Sequence, residues 1–127
     1  MGNAMLEHVN VTVSNPEKTA EMFCELFDWH IRWQGESMLG GRSVHVGNDS
    51  SYIALYTDTV TVEGKNSTYA VRGGLNHIGV VVEDLAEVER RVLAAGFKSH
   101  NHGDYEPGRR FYFDDHDGIE IEVVSYS

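Results

Sequence analysis

One cysteine, Cys24, stands alone among the 127 residues, so no disulfide can close within the chain. That suits a reducing compartment. Proline is nearly as scarce, at 2 residues, while hydrophobic residues make up 41%. This is the composition of a globular chain, not a disordered one. No apolar run approaches the ~18 residues that cross a bilayer. The N-terminus has no basic region followed by an apolar stretch, so no signal peptide is expected and the cytoplasm is the default location. MGNA, residues 1–4, reads as a loose leader. Bases are outnumbered, with 10 Lys and Arg against 20 Asp and Glu, a net charge of -10. Nucleic acid and anionic membrane both need basic surface, so neither is expected as a partner. A small ligand stays open, because a local basic pocket can sit in an acidic protein. The length fits one domain or two small repeated halves.

Repetition decides between these. LEHVNVTV (6–13) and LNHIGVVV (75–82) both read Leu-x-His-aliphatic-x-Val-x-Val, with histidines His8 and His77. Such a repeat sets the architecture. After the first strand, Asn15 and Pro16 form a helix start, and Ala20, Phe23, Cys24 and Phe27 fall on one apolar face. After the second, Asp84 and Glu87 form a capping-box pattern, Leu85, Val88, Val92 and Ala95 the apolar face, and Gly96 the stop. Cys24 thus reads as a small core residue rather than a nucleophile. Strand-like runs follow each helix: HIRWQ (30–34), RSVHV (42–46) and YIALY (52–56), then FKSH (97–100), RRFYF (109–113) and IEIEVV (119–124). Pro107-Gly108 suits a tight turn before RRFYF. Residues 57–74 read as the inter-module linker, with a weak strand signal at Thr59 to Val62. The fold expected is α+β: two tandem βαβββ modules forming a curved sheet around a central pocket. The first module with its linker covers 5–70 and the second 75–126, together one domain.

Side chains alternate across a strand. The aliphatic set of each strand must meet its helix: Val9, Val11 and Val13; Ile78, Val80 and Val82; Ile53 and Leu55; Val44 and Val46; Phe111 and Phe113; Ile119, Ile121 and Val123. The opposite, concave face then carries His8, His77, Glu120, Glu122, His45, Ser43, Tyr52, Tyr56, Arg110 and Tyr112. Two imidazoles and a carboxylate, His8, His77 and Glu122, can hold a divalent metal and leave positions open for substrate, as at Fe(II) sites and three-ligand Zn sites. Glu120 is the other carboxylate on that face, an alternative to Glu122 or a solvent-facing group. HNH (100–102) and DDHD (114–117) suggest a second metal site, set against their place in expected turns, where His and Asp are common for local reasons.

These residues resemble the vicinal oxygen chelate superfamily, which includes glyoxalase I, extradiol dioxygenases and the bleomycin- and fosfomycin-resistance proteins. The resemblance spans nearly the whole chain. It rests on the paired Leu-x-His strands, the βαβββ repeat and FDDHDGIEIEVV (113–124). That run is similar to the family's Phe-x-Asp-Pro-Asp-Gly-Asn-x-Ile-Glu-Leu, with His116, a loop residue, at the Pro position. The resemblance puts metal ligands on the first and last strands of each module. It fills three positions with His8, His77 and Glu122, and leaves Ala54 or Tyr56 at the fourth, where glyoxalase I has a carboxylate. The set is closer to the iron triad of extradiol dioxygenases. It also implies a homodimer.

The function expected is a metal-dependent enzyme, a glyoxalase- or dioxygenase-like lyase, isomerase or oxygenase. Its substrate would be a small oxygenated molecule that chelates Fe, Mn, Ni or Zn through adjacent oxygens. Glu122, Tyr56, Tyr112 and His45 are the candidate catalytic groups. Arg109, Arg110 and Tyr52 are candidates for substrate binding, although the arginines also suit surface ion pairs. The alternative is a protein of bleomycin-resistance type that sequesters a small molecule or antibiotic without turnover. A fosfomycin-type transferase lacks support, because no extra cation or thiol site is visible.

Overall fold

A computed structural model describes residues 2–37, 40–62 and 68–127. The chain divides into two compact units, Met1–Val62 and Glu63–Ser127. Each is a βαβββ module.

The first holds β1 (His8–Thr12), α1 (Pro16–Phe27), β2 (His30–Glu36), β3 (Arg42–Gly47) and β4 (Tyr52–Thr57). Its sheet order is β1-β4-β3-β2, with β1 parallel to β4 and the other pairs antiparallel. The helix starts as its sequence dictates. The Asn15 side chain accepts the Lys18 N–H at 3.1 Å, and Pro16 occupies the first turn, where a missing N–H costs nothing. It ends at Asp28, which takes the left-handed conformation (φ 59°) and donates its N–H to Cys24 O. The buried stripe is Thr19, Ala20, Met22, Phe23 and Leu26. It is rotated from the expected face, leaving Cys24 and Phe27 half-buried at its margin. Burial and the neighbouring Glu21 push the Cys24 thiol pKa up, which fits an inert residue. Against the helix lie β3 and β4, with Val44, Val46, Ile53 and Leu55 all buried.

The second module repeats the scheme with β5 (Ile78–Val81), α2 (Leu85–Ala94), β6 (Ser99–Tyr105), β7 (Gly108–Asp114) and β8 (Glu120–Ser125). The order is β5-β8-β7-β6, again with the first pair parallel. Asp84 caps α2 by accepting the Glu87 N–H at 3.1 Å. Glu87 does not complete the expected box by reaching back; its carboxylate is taken by Arg90 and Arg91. Gly96 follows the helix at φ 95°, a conformation that favours glycine. Phe111, Phe113, Ile121, Val123 and Val92 are fully buried between helix and sheet. Each such side chain contributes about 1.5–3 kcal/mol by leaving water. The helix-facing sets of the later strands are thus as expected.

Two further expectations change. HNH (100–102) lies in β6 rather than in a turn, and the strand runs on to Tyr105. The pairing with β7 slips between His100 and Gly103, and Asn101 adopts φ 52°. A bulge therefore carries polar residues that read as turn formers. Thr59 and Val60 form a turn, not a strand; the rest of the expected linker holds a short 3-10 turn at Thr68–Ala70, and residues 63–67 lie outside the described residues.

Candidate metal and ligand site

On the second sheet, register sets Gly79 beside Glu122, Glu122 beside Tyr112, and Tyr112 beside His100. Gly79 has no side chain, so the His77 imidazole, just before β5, reaches Glu122. His77 Nε2 lies 3.0 Å from Glu122 Oε1. The other ring nitrogen, Nδ1, lies 2.7 Å from Asn76 Oδ1, an oxygen that can only accept. Nδ1 thus carries a proton and Nε2 is the nitrogen with a lone pair to give. Two acceptors 3.0 Å apart are reconciled by a positive charge shared between them, a proton or a metal ion. An ion with ligands at about 2.1 Å and right angles between them spaces adjacent donors by about 3.0 Å. His77 and Glu122 therefore fit a divalent ion as a pair.

The second oxygen of Glu122 is already engaged. Arg110 Nη1 donates to Oε2 at 2.9 Å, and both side chains are nearly buried, at 12% and 13% exposure. The guanidinium also lies 4.8 Å over the Tyr105 ring. The carboxylate that Arg110 meets is internal, and Oε1 is the oxygen left for a ligand. Arg109, the preceding residue of β7, points to the other face and is exposed. Tyr112 meets His77 edge-on at 5.8 Å. Burial, and next the charge of Glu122, raise its phenol pKa, keeping the hydroxyl protonated. A cleft of about 500 Å³ opens here, lined by Tyr69, Asn76, His77, Asn101, His102, Tyr105, Tyr112 and Glu120.

The first sheet carries the counterpart of this pattern. His8 Nδ1 lies 2.8 Å from Glu7 Oε1, so here too a preceding acceptor holds Nδ1 and leaves Nε2. The x of each Leu-x-His is thus an orienting residue, Glu7 in one module and Asn76 in the other, the second-sphere device common around metal-binding histidines. The pattern was visible in the repeat, where x is an acceptor both times. His8 also stacks on Tyr52 at 4.8 Å, Tyr52 on His45 at 4.6 Å, and His45 meets Trp33 at 5.0 Å. Arg32 sits 4.6 Å over Tyr52. A row of rings thus crosses the sheet from β1 to β2. Burial, followed by His8 and Arg32, lowers the His45 pKa, leaving it neutral near pH 7. Tyr56 is outside this row: its hydroxyl donates to Asp58 at 2.8 Å, a bond that raises its pKa. Trp33 and Arg32, and Tyr105 in the second module, have no periodic signature and do not stand out in the sequence.

Residues 5–123 match the model of the Glyoxalase/Bleomycin resistance protein/Dioxygenase superfamily, and the chain belongs to that superfamily. Among solved structures it is similar to a glyoxylase/bleomycin resistance protein/dioxygenase domain from Frankia sp. EAN1pec, at 22% identity over 98% of each chain (TM-score 0.81). It is also similar to the fosfomycin resistance protein FosX from Listeria monocytogenes, solved with Mn(II) and sulfate, at 18% identity over 98% of this chain and 93% of that one (TM-score 0.75). A third is TnmS3, an antibiotic binding protein from Streptomyces sp. CB03234, at 17% identity over 100% and 99% (TM-score 0.72). No curated protein matches. The expected architecture of two βαβββ modules is therefore the protein's own, while identities this low speak for fold and not for chemistry.

Proposed function

We propose that this protein is a divalent-metal-dependent enzyme acting on a small oxygenated molecule, with His77 and Glu122 as metal ligands. The observation that carries this reading is the 3.0 Å approach of His77 Nε2 to Glu122 Oε1, with Nδ1 committed to Asn76. His8, the repeat equivalent of His77, has its Nδ1 committed in the same way. An ion held there supplies Lewis acidity toward adjacent substrate oxygens. The chain's own groups supply the rest. Arg110 holds Glu122 through Oε2, so the ligand oxygen is fixed before substrate arrives. Tyr112, with its raised pKa, presents a protonated hydroxyl and can donate a hydrogen bond to a developing oxyanion. His45, neutral near pH 7, can take up a proton. Tyr52, between His8 and His45, orients both rings. Fe, Mn, Ni and Zn are the candidate metals.

The FosX structure with Mn(II) supports metal binding on this fold. A second reading has its own observation. The row Trp33–His45–Tyr52–His8, ending on a half-exposed indole, suits a planar ring bound without turnover, and TnmS3 is an antibiotic binding protein of this fold. The test is to strip the protein of metal, reload it anaerobically with each ion, and follow both melting temperature and turnover of a diol, epoxide and α-hydroxycarbonyl panel. A metal-dependent stabilisation with metal-dependent turnover supports the enzyme. Tight binding of an aromatic ligand that ignores metal supports sequestration.

A further inference from the structure

We propose that His100, Asp114 and Glu120 form a second divalent-cation site, distinct from the His77–Glu122 pair. The three come from neighbouring strands of one sheet. His100 lies on β6, Asp114 ends β7 and Glu120 begins β8. Asp114 and Glu120 are register partners, so two carboxylates stand directly opposite one another on one face. Like charges in that position repel. The connecting loop enforces the pairing: Asp115 Oδ1 accepts the N–H groups of Asp117 and Ile119 at 2.9 Å each, and the Asp115 N–H donates to Ile119 O. The repulsion is built in, and a cation relieves it.

The imidazole adds an independent observation. His100 Nε2 is closed off from solvent and makes no hydrogen bond. It lies 3.5 Å from Asp114 Oδ1, outside hydrogen-bond geometry. A polar atom shut away from water normally has a partner. The ring, 36% exposed as a side chain, lies 6.3 Å from the Tyr112 ring at an interplanar angle of 20°, with its Nε2 on the covered side. Glu120 is anchored by a hydrogen bond from the Tyr69 hydroxyl. One ligand atom from each of the three residues falls within 4.8 Å of the others. Donors at about 2.1 Å from an ion span up to about 4.2 Å across it, so Asp114, exposed at its strand end, closes a few tenths of an ångström.

One imidazole nitrogen and two carboxylates without a thiolate suit Mn(II), Co(II) or Zn(II) rather than a soft ion. Two carboxylates balance the ion's charge. Glu120 lines the same cleft as His77, so an ion here faces the space in which a ligand of the second module would sit.

Equilibrium dialysis of the full chain against Mn(II), Co(II) or Zn(II) alone tests this, with ions counted per chain. His100→Gln and Asp114→Asn keep size and polarity, and circular dichroism checks the fold of each. Each is expected to hold one ion fewer than wild type at a concentration that saturates wild type. His77→Ala is expected to leave this ion in place, and His77→Ala combined with His100→Gln to lose one ion more than either alone. Equal ion counts for wild type, His100→Gln and Asp114→Asn overturn the proposal, whatever His77→Ala does. Loss on His77→Ala alone supports only the first site.

Discussion

Replacing Arg110 by methionine keeps the apolar stem and removes the charge that holds Glu122. The pair is nearly buried and meets at 2.9 Å. Breaking a buried pair by removing one partner costs about 3–5 kcal/mol, because the remaining charge is left unpaired. Here His77 still contacts Oε1, and a small fraction of Glu122 reaches solvent, so the loss should fall to about 2–3 kcal/mol. For a chain of this size that is a drop in Tm of roughly 10 °C. Urea unfolding followed by circular dichroism, in chelator, measures it. Glu122→Gln and the double variant complete a cycle, and the coupling between the two sites should be at least about 1.5 kcal/mol. Saturating Mn(II) should restore part of the loss in Arg110→Met, since the ion replaces the missing positive charge and binds only the native state. A cost below about 0.5 kcal/mol, or a coupling indistinguishable from zero, refutes the reasoning that Arg110 and Glu122 act as one unit.

Phe113→Ala, at a fully buried ring, should cost about 3–5 kcal/mol and be readable by urea denaturation. Gly47→Ala should also destabilise, because a Cβ there would sit 2.2 Å from Ser51 O and 2.6 Å from Tyr52 Cα; the backbone on both sides must shift, and the Tyr52–His8 stack should loosen, visible as His8 ring chemical-shift changes. Glu87, whose carboxyl pKa is brought down to about 2 by its hydrogen bond from Arg90, should keep its charge well below its ordinary value of 4.5. Its support of α2 is present above pH 4.5 and is lost as pH falls through about 2, which carboxyl NMR titration follows; a midpoint near 4.5 contradicts the Arg90 contact. Asp84→Ala should cost about 1 kcal/mol by uncapping α2.

The repeat made both modules readable because each strand obeys the same two-residue alternation and each helix begins with a capping side chain. Ile121, Val123, Phe111 and Phe113 are buried where alternation puts them. What alternation cannot supply is partner choice. Arg110 is marked as concave by its position, yet nothing in RRFYF says that its guanidinium spends itself on Glu122, twelve residues on. The HNH run misleads for a related reason: His and Asn favour turns locally, but the β6–β7 pairing overrides that preference and absorbs the mismatch in a bulge at Asn101. The α1 face rotates because Thr19 and Met22, not the cysteine, complete the stripe. His77 and Glu122 were legible as residues of one face, His77 just before β5 and Glu122 within β8. The acceptors Glu7 and Asn76, which set which nitrogen each histidine offers, are explicit in the repeat once the side chains are placed.

Anomalous diffraction from crystals grown with Mn(II), collected above the Mn absorption edge, tests the metal-centred account most directly. The account predicts a peak about 2.1–2.2 Å from both His77 Nε2 and Glu122 Oε1, with Arg110 still on Oε2. Well-ordered density at His77 and Glu122 in the presence of saturating Mn(II), with their direct 3.0 Å contact intact and no anomalous peak beside it, would contradict the account.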